Sequence, residues 1–264
     1  MSEKTNWSMV SKLTLLVLVS WIILAIIFGI YDLSISIAVV DEASAWGNFG
    51  ADYGELPGYA LIGIALATFF GGYIKNLKLQ KIPALIIIVI GLLFIIFDSD
   101  FYVGFSLIIP MIIYTIIAWN KDWKNYRTLA GIITLLAVIH PLLFVQIVKI
   151  LCGRIRFRNL IEPGFTNFTP WFLAPGLSSD GRSFPSGHTA MGWMLLPLLI
   201  VVKDREIKDP YRIVVTVLVI GWGLFVGLSR IVVGAHYASD VLFSTGMAAI
   251  VTILLYKKSY LKRK

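Results

Sequence analysis

The sequence predicts an all-α protein, a polytopic bundle of transmembrane helices that forms a single membrane domain over residues 1–264. The first observation is composition: 58% of the residues are hydrophobic and 14% are charged, too few polar groups to cover a soluble protein of this size. The second is the recurrence of apolar runs near the length that crosses a bilayer. The third is that lysine and arginine cluster in alternate connecting segments.

Eight apolar segments are candidate spans, because a helix of about 20 residues crosses the hydrocarbon core. In chain order they are Leu13–Ala38, Pro57–Ile74, Ile82–Phe97, Phe101–Trp119, Thr128–Leu151, His188–Val202, Tyr211–Ser229 and Ser239–Tyr256. The third is short and ends at Asp98-Ser99-Asp100, so it could instead form a re-entrant pair with the fourth. The first is too long for a signal-peptide core and lacks a small-residue cleavage site, so we expect a retained membrane helix.

The basic residues predict the orientation, since lysine and arginine prefer cytoplasmic loops. With the N-terminus in the cytoplasm, most of the 23 basic residues fall on the inner side, whereas the outer segments Val39–Leu56 and Asp98–Asp100 contain none. The even number of spans then places the C-terminus in the cytoplasm too. The net charge of +8 therefore reports topology, and without interleaved exposed aromatic residues it does not indicate a nucleic-acid partner.

Six basic residues lie on the outer side, against this preference, at or near helix ends. They are Lys149, Arg154, Arg156, Arg158, Arg182 and Arg230. Charge buried near lipid is costly, and acidic neighbours in the sequence do not obviously pair with these residues. We therefore expect an anionic ligand at this face. The single cysteine, Cys152, excludes an intramolecular disulfide and a cysteine-cluster metal site.

The first motif is KILCGRIR, in which Lys149 and Arg156 are two helical turns apart. That spacing predicts that both side chains lie on one helix face, with Gly153 loosening the helix end. The pair could bind an anion. Alternatively, it could place positive charge at the C-terminus of the fifth span, where the helix dipole favours cations.

The second motif is Pro185-Ser186-Gly187-His188, before the sixth span. Serine is a frequent N-cap, and the preceding proline restricts the path of the chain into the helix. The free N–H groups of such a helix start bind anions, and Gly187 would let an anion approach the backbone closely. The alternative is an ordinary helix start with a surface histidine.

The third motif is SRIVVGAHYASD, in which His236 and Asp240 are four residues apart and share a face if both are helical. A carboxylate there would hold the imidazole in one tautomer and raise its basicity. Arg230, six residues earlier, could donate a fork of hydrogen bonds to a phosphate. The alternative is a simple helix-terminal ion pair. We expect the remaining histidine, His140, to be structural.

Taken together, the three motifs resemble the type 2 phosphatidic acid phosphatase (PAP2) superfamily. The family pattern is Lys-x6-Arg-Pro, Pro-Ser-Gly-His and Ser-Arg-x5-His-x3-Asp. The chain contains Lys149-x6-Arg156, Pro185–His188 and Ser229-Arg230-x5-His236-x3-Asp240, with every spacing matched and Phe157 where the family has proline. The resemblance covers residues 128–256 as the catalytic core. Relative to the six spans typical of the family, the pair within Ile82–Trp119 is an addition.

The resemblance implies hydrolysis of a phosphoester by covalent catalysis, with no metal ion or cofactor. In that mechanism His236, oriented by Asp240, attacks phosphorus and forms a phosphohistidine, and His188 protonates the leaving oxygen. The implied ligands of the phosphoryl oxygens are Lys149, Arg156, Ser186, Gly187 and Arg230. Arg182 is a further candidate for contact with the phosphate or the headgroup.

The position of the site at the membrane surface suits a phosphate whose tail stays in the bilayer. The implied substrates are phosphatidic acid, phosphatidylglycerophosphate or an isoprenyl diphosphate, met at the outward face of the plasma membrane. Alternatives are transfer of the phosphoryl group to an acceptor other than water, and hydrolysis of a soluble sugar phosphate, as in the glucose-6-phosphatase branch. A non-enzymatic transporter would not need the His236–Asp240 pair. The aromatic loop Asn159–Gly181 is either an interfacial belt or a headgroup-recognition element.

Overall fold

The computed structural model describes residues 3–97, 101–160, 163–179 and 181–261, and these residues form helices and loops without any strand. The all-α prediction is therefore confirmed. The helices are α1 (Glu3–Val39), α2 (Ala45–Tyr53), α3 (Leu56–Gly71), α4 (Ile82–Phe97), α5 (Phe101–Ile117), α6 (Arg127–Ala137), α7 (Val145–Cys152), α8 (Gly187–Gly192), α9 (Pro210–Val232) and α10 (Ala238–Tyr256). The π-helical segment Val138–Phe144 joins α6 to α7, and the 3-10 segment Trp193–Val202 continues α8.

Each predicted span is helical in the structure. Six helical stretches of the described residues are long and apolar enough to cross a membrane, namely Met9–Val39, Ala45–Gly71, Leu79–Phe97, Trp123–Asn159, Pro210–Val232 and Ala238–Leu261. Two shorter apolar helices, Phe101–Ile117 and Gly187–Val202, account for the other two predicted spans. The predicted outer segment Val39–Leu56 is not a plain loop, because it contains α2. The predicted turn at 98–100 lies outside the described residues.

The core that supports the three motifs is formed by α3, α6, α8 and α10. Its buried side chains include Ala65, Ile132, Ile133, Leu136, Met191, Met194 and Val251. The helices α4 and α5 pack on the far side of α3, through a second cluster that includes Ala67, Ala84, Ile87 and Met111. The additional helix pair is thus attached to the motif-bearing bundle through α3.

The basic connecting segments meet at one end of the bundle. Lys81 Nζ donates to the carbonyl of Lys121 at 2.9 Å, and the Arg127 guanidinium lies 4.4 Å from the centre of the Tyr73 ring. At the opposite end, the Arg158 N–H donates to the carbonyl of Gly234 at 3.0 Å. The motif residues gather at this opposite end, away from the basic connections.

Candidate active site

The Pro-Ser-Gly-His motif forms the start of α8. Ser186 is the N-cap, as predicted: its hydroxyl oxygen accepts from Thr189 N at 3.3 Å and from Thr189 Oγ1 at 2.8 Å. The N–H groups of Gly187 and His188 occupy the first helical turn, where no intrahelical acceptor is available. The Ser186 N–H donates to the carbonyl of Asp240 at 3.1 Å, which ties the start of α8 to α10.

Lys149 brings a positive charge to this helix start. Its Nζ would lie 3.2 Å from a Cβ atom built on Gly187. Arg156, however, does not share its helix face, so that prediction was wrong. Gly153 has φ 60° and ends α7, with its N–H donating to the carbonyl of Lys149 at 3.2 Å. Arg156 consequently has extended backbone, although it still interacts electrostatically with Lys149.

His236 and Asp240 form the predicted pair at the start of α10. His236 Nδ1 lies 3.4 Å from Asp240 Oδ2, and both side chains are buried. They do not share a helix face, because α10 begins at Ala238 and His236 precedes it. Asp240 instead acts as a capping-box residue that accepts from Tyr237 N at 2.9 Å. The Asp240 carboxylate therefore caps the start of α10 and also faces the His236 imidazole.

Burial sets the protonation state of His236. It lowers the pKa of His236 from its usual 6.5 to about 4, while the Asp240 carboxylate acts in the opposite direction. The imidazole is therefore neutral at pH 7 and has the lone pair that a nucleophile needs. Protonation of His236 is less favourable in the folded protein than in the unfolded chain. The free energy of unfolding therefore has its full value above pH 6.5 and decreases as the pH falls towards 4, because the unfolded chain binds the proton first.

Asp240 is held by an ion-pair network that sequence reasoning missed. Arg154 Nη1 donates to Asp240 Oδ1 at 2.7 Å, and Arg154 Nη2 donates to Asp32 Oδ2 at 3.0 Å. All three side chains are fully buried. The expectation that the outer basic residues lack acidic partners is therefore wrong for Arg154, because Asp32 lies 122 residues away along the chain. Ser183 Oγ donates to Asp240 Oδ2 and completes the support of the carboxylate.

Glu55, also absent from the sequence-derived site, contacts His188. Its Oε1 lies 3.1 Å from His188 Nδ1, and its Oε2 accepts from Tyr59 OH at 3.2 Å. The His188 and Glu55 side chains are 31% and 23% exposed, so the pair is open at the surface of the site. No spacing signal could have identified Glu55, because it lies at the junction of α2 and α3, far from the three motifs.

The remaining cations surround the histidines. Arg230 is buried in the last turn of α9, its Nε has no hydrogen-bond partner among the described residues, and its carbonyl accepts from His236 N at 3.1 Å. Arg156 and exposed Arg182 line a cavity of about 470 Å³. The structure thus brings all three motifs together at one end of the bundle. No three His, Cys, Asp or Glu side chains in the described ranges gather as a metal site would require.

Two other sequence features lie outside this cluster. His140 is fully buried in the π-helical segment, with its ring centre 6.0 Å from that of Phe144. In the aromatic loop, Trp171 Nε1 donates to the carbonyl of Ala25 in α1 at 3.0 Å, whereas the Phe172 ring is exposed. Both loop aromatics nevertheless lie against α1, because a Cβ atom on Gly29 would be 3.0 Å from Trp171 Nε1 and 3.0 Å from Phe172 Cε1.

The chain is similar to known lipid phosphatases. The sequence model of one family, the PAP2 superfamily, matches residues 128–264. Phosphatidylglycerophosphatase B of Haemophilus influenzae is 32% identical over 99 residues, which cover 36% of this chain and 39% of that protein. Undecaprenyl-diphosphatase BcrC of Bacillus subtilis is 41% identical over 81 residues, 31% of this chain and 37% of that protein.

A longer match links the chain to the lipid A 1-phosphatase of Rhizobium etli, which is 26% identical over 144 residues, 53% of this chain and 56% of that protein. All three matches cover less than two thirds of the relative's own length. No solved structure matches the chain significantly. The similarity therefore concerns the half of the chain that carries the three motifs.

Proposed function

The chain belongs to the PAP2 superfamily, and from that premise we propose that it hydrolyses a membrane-anchored phosphate or diphosphate through a phosphohistidine, without a metal ion. One observation carries the proposal. Buried, neutral His236 faces Asp240 through Nδ1 in the same cluster as His188. A histidine nucleophile with an orienting carboxylate and a second histidine as acid is a complete set for covalent phosphoryl transfer.

The reaction has two steps. In the first, His236 Nε2, the nitrogen that does not face Asp240, forms a bond to phosphorus as the bond between phosphorus and the leaving oxygen breaks. His188 gives its proton to that oxygen. In the second, water attacks phosphorus and gives a proton to His188 as the bond between phosphorus and His236 Nε2 breaks. Inorganic phosphate leaves, His236 is again neutral, and His188 again carries its proton.

Charge spread over the phosphoryl oxygens is stabilised by groups that are already in place. Lys149, Arg156 and Arg230 supply positive charge, and the first turn of α8 supplies the N–H groups of Gly187 and His188. Ser186 contributes mainly as the N-cap, since its N–H already donates to Asp240 and its hydroxyl accepts from Thr189. Arg182, at the mouth of the neighbouring cavity, would contact the phosphate or the headgroup.

The substrate class follows from the position of this cluster and from the relatives. The cluster lies at the ends of apolar helices, so a tail could stay in the bilayer while the phosphate enters. The names of the relatives refer to phosphatidylglycerophosphate, undecaprenyl diphosphate and lipid A, which are all lipids. We therefore propose phosphatidic acid, phosphatidylglycerophosphate or an isoprenyl diphosphate as substrate. The proposed site faces outward from the plasma membrane, with both termini in the cytoplasm.

The test is phosphate release from phosphatidic acid and from a polyprenyl diphosphate in EDTA, by the purified wild type and by His236→Ala. We expect release by the wild type in EDTA and a loss of at least about 10³-fold in the variant, as for other nucleophile deletions. His140→Gln, which changes a histidine outside the cluster, should remain active. Release that survives His236→Ala would contradict the mechanism. Release only from a sugar phosphate, or only with an added alcohol acceptor, would contradict lipid hydrolysis.

A further inference from the structure

The contact between Glu55 and His188 has the same form as the contact between Asp240 and His236. In both pairs a carboxylate oxygen faces Nδ1, at 3.1 Å in the first and 3.4 Å in the second. With Nδ1 facing a carboxylate, Nε2 of each ring is the nitrogen left for the substrate. The two carboxylates come from unrelated parts of the chain, since Asp240 belongs to α10 and Glu55 precedes α3.

The fold holds Glu55 in place at the corner between α2 and α3. Trp222 Nε1, from α9, donates to the carbonyl of Gly54 at 3.1 Å, immediately before Glu55. Three residues after Glu55, a Cβ atom on Gly58 would lie 2.6 Å from the carbonyl oxygen of Met191 in α8. The corner is therefore packed against α9 and α8 at the same time, and the carboxylate is carried by a rigid element.

Burial and the surrounding cations both disfavour a proton on His188, and a carboxylate in contact with the ring offsets part of that cost. The cations that act on His188 electrostatically include Lys149 of α7, Arg156 and Arg230 of α9. Each cation opposes the binding of a proton to the ring. A leaving-group acid must nevertheless hold its proton when the substrate is bound. Glu55 supplies negative charge at contact distance, and it also acts on Lys149 and Arg230.

We infer that Glu55 is a positioning residue for the leaving-group acid: it orients His188 through Nδ1, stabilises the imidazolium and directs Nε2 towards the leaving oxygen. The inference rests on the proposed function, in which His188 protonates that oxygen. Tyr59 supports the arrangement by donating to the other carboxylate oxygen. The cluster then contains two carboxylate–imidazole pairs, one for the nucleophile and one for the acid.

The test is to compare Glu55→Gln with the wild type on two long-chain phosphates that differ in the leaving group. An alkyl phosphate needs a proton on its leaving oxygen, whereas a nitrophenyl phosphate does not. We expect kcat/KM for the alkyl phosphate to fall about 10- to 100-fold and that for the nitrophenyl phosphate by less than about 3-fold. The alkaline limb of the alkyl pH profile should move to lower pH, because without the carboxylate the ring loses its proton more easily.

Matched variants separate this role from a structural one. Glu55→Asp should partly restore the alkyl rate, and Asp52→Asn, an exposed carboxylate on the same corner, should leave the ratio of the two rates unchanged. That ratio does not depend on how much protein is folded. Equal losses on both substrates in Glu55→Gln, with His188→Ala still selective for the nitrophenyl phosphate, would overturn the role of Glu55. A His188→Ala variant without that selectivity would overturn the acid step itself, and this inference with it.

Discussion

Among single residues, Arg154 is fully buried and contacts several separate parts of the chain. Its guanidinium donates to Asp240 and Asp32, and its Nε donates to the carbonyl of Thr169 at 2.8 Å. The same group lies 3.9 Å from the centre of the Tyr237 ring. Arg154 therefore connects α1, the aromatic loop and the start of α10, and it fixes the carboxylate that faces His236.

Replacement of Arg154 by alanine should destabilise the protein strongly, because two buried carboxylates would lose their partner. Breaking a buried ion pair from one side costs about 3–5 kcal/mol, and thermal unfolding in detergent would measure it. Arg158→Ala removes an exposed arginine from the same segment and should change stability by less than about 0.5 kcal/mol. Equal unfolding temperatures for the two variants would show that the buried network contributes no stability.

At the scale of helices, the site is built from helix ends. The C-terminus of α7 presents Lys149, the N-terminus of α8 presents Gly187 and His188, and the start of α10 presents Asp240. The N-terminus of α8 is suitable because its unpaired N–H groups can bind an anion, and the C-terminus of α7 favours the positive charge of Lys149. The exact point at which α7 ends matters most, since the left-handed conformation of Gly153 turns the chain and sends Arg156 into the loop.

We therefore expect Gly153→Ala to destabilise the protein more than a glycine-to-alanine change at a position where a side chain has space. A Cβ atom at this position would lie 2.1 Å from the backbone oxygen of Gly176, which cannot move aside as a flexible side chain could. Gly164 is a matched control, since it also has positive φ but no atom within 4 Å of its Cβ position. We expect Gly153→Ala to lose about 1–3 kcal/mol more than Gly164→Ala in thermal unfolding. Equal losses would mean that the loop adapts.

For the whole molecule, the separation of charge is the main feature. The basic connections lie at one end, and the cationic residues of the cluster lie at the other, where Asp32, Asp240 and Glu55 accompany them. Basic residues at the first end agree with the cytoplasmic preference of lysine and arginine. At the second end, Arg154 pairs with Asp32 and Asp240, and in the proposed function Lys149, Arg156 and Arg230 would bind the phosphate.

This arrangement predicts which residues can be labelled from outside the cell. In a Cys152→Ser background, we expect Ser178→Cys, in the exposed loop beside the cluster, to react with a membrane-impermeant maleimide on intact cells. Lys208→Cys, in the exposed basic segment before α9, should react only after permeabilisation. The Cys152→Ser protein without an added cysteine measures background labelling. The reverse pattern would place the cluster in the cytoplasm and reject the proposed orientation.

Composition and residue spacing are sufficient to predict the class of the molecule and the chemistry of its motifs. An apolar run of membrane-spanning length predicts a helix, because the backbone of such a segment must satisfy its hydrogen bonds within the segment itself. The N-cap role of Ser186 and the His236–Asp240 contact could also be read from nearest-neighbour chemistry, although the latter forms through a capping box. These are interactions over a few residues, and spacing is sufficient to predict them.

The distant side chains that join the candidate site become visible only once the helices are packed together. Asp32 contacts Arg154 from 122 residues away along the chain, and Glu55 contacts His188 from the junction of α2 and α3. Neither acidic residue belongs to a local sequence motif. The placement of Arg156 likewise depends on Gly153, which is left-handed and lies so close to Gly176 that a side chain there would meet the Gly176 oxygen. Partners across helices are set by how apolar faces pack, and that packing cannot be read from the spacing of residues in one segment.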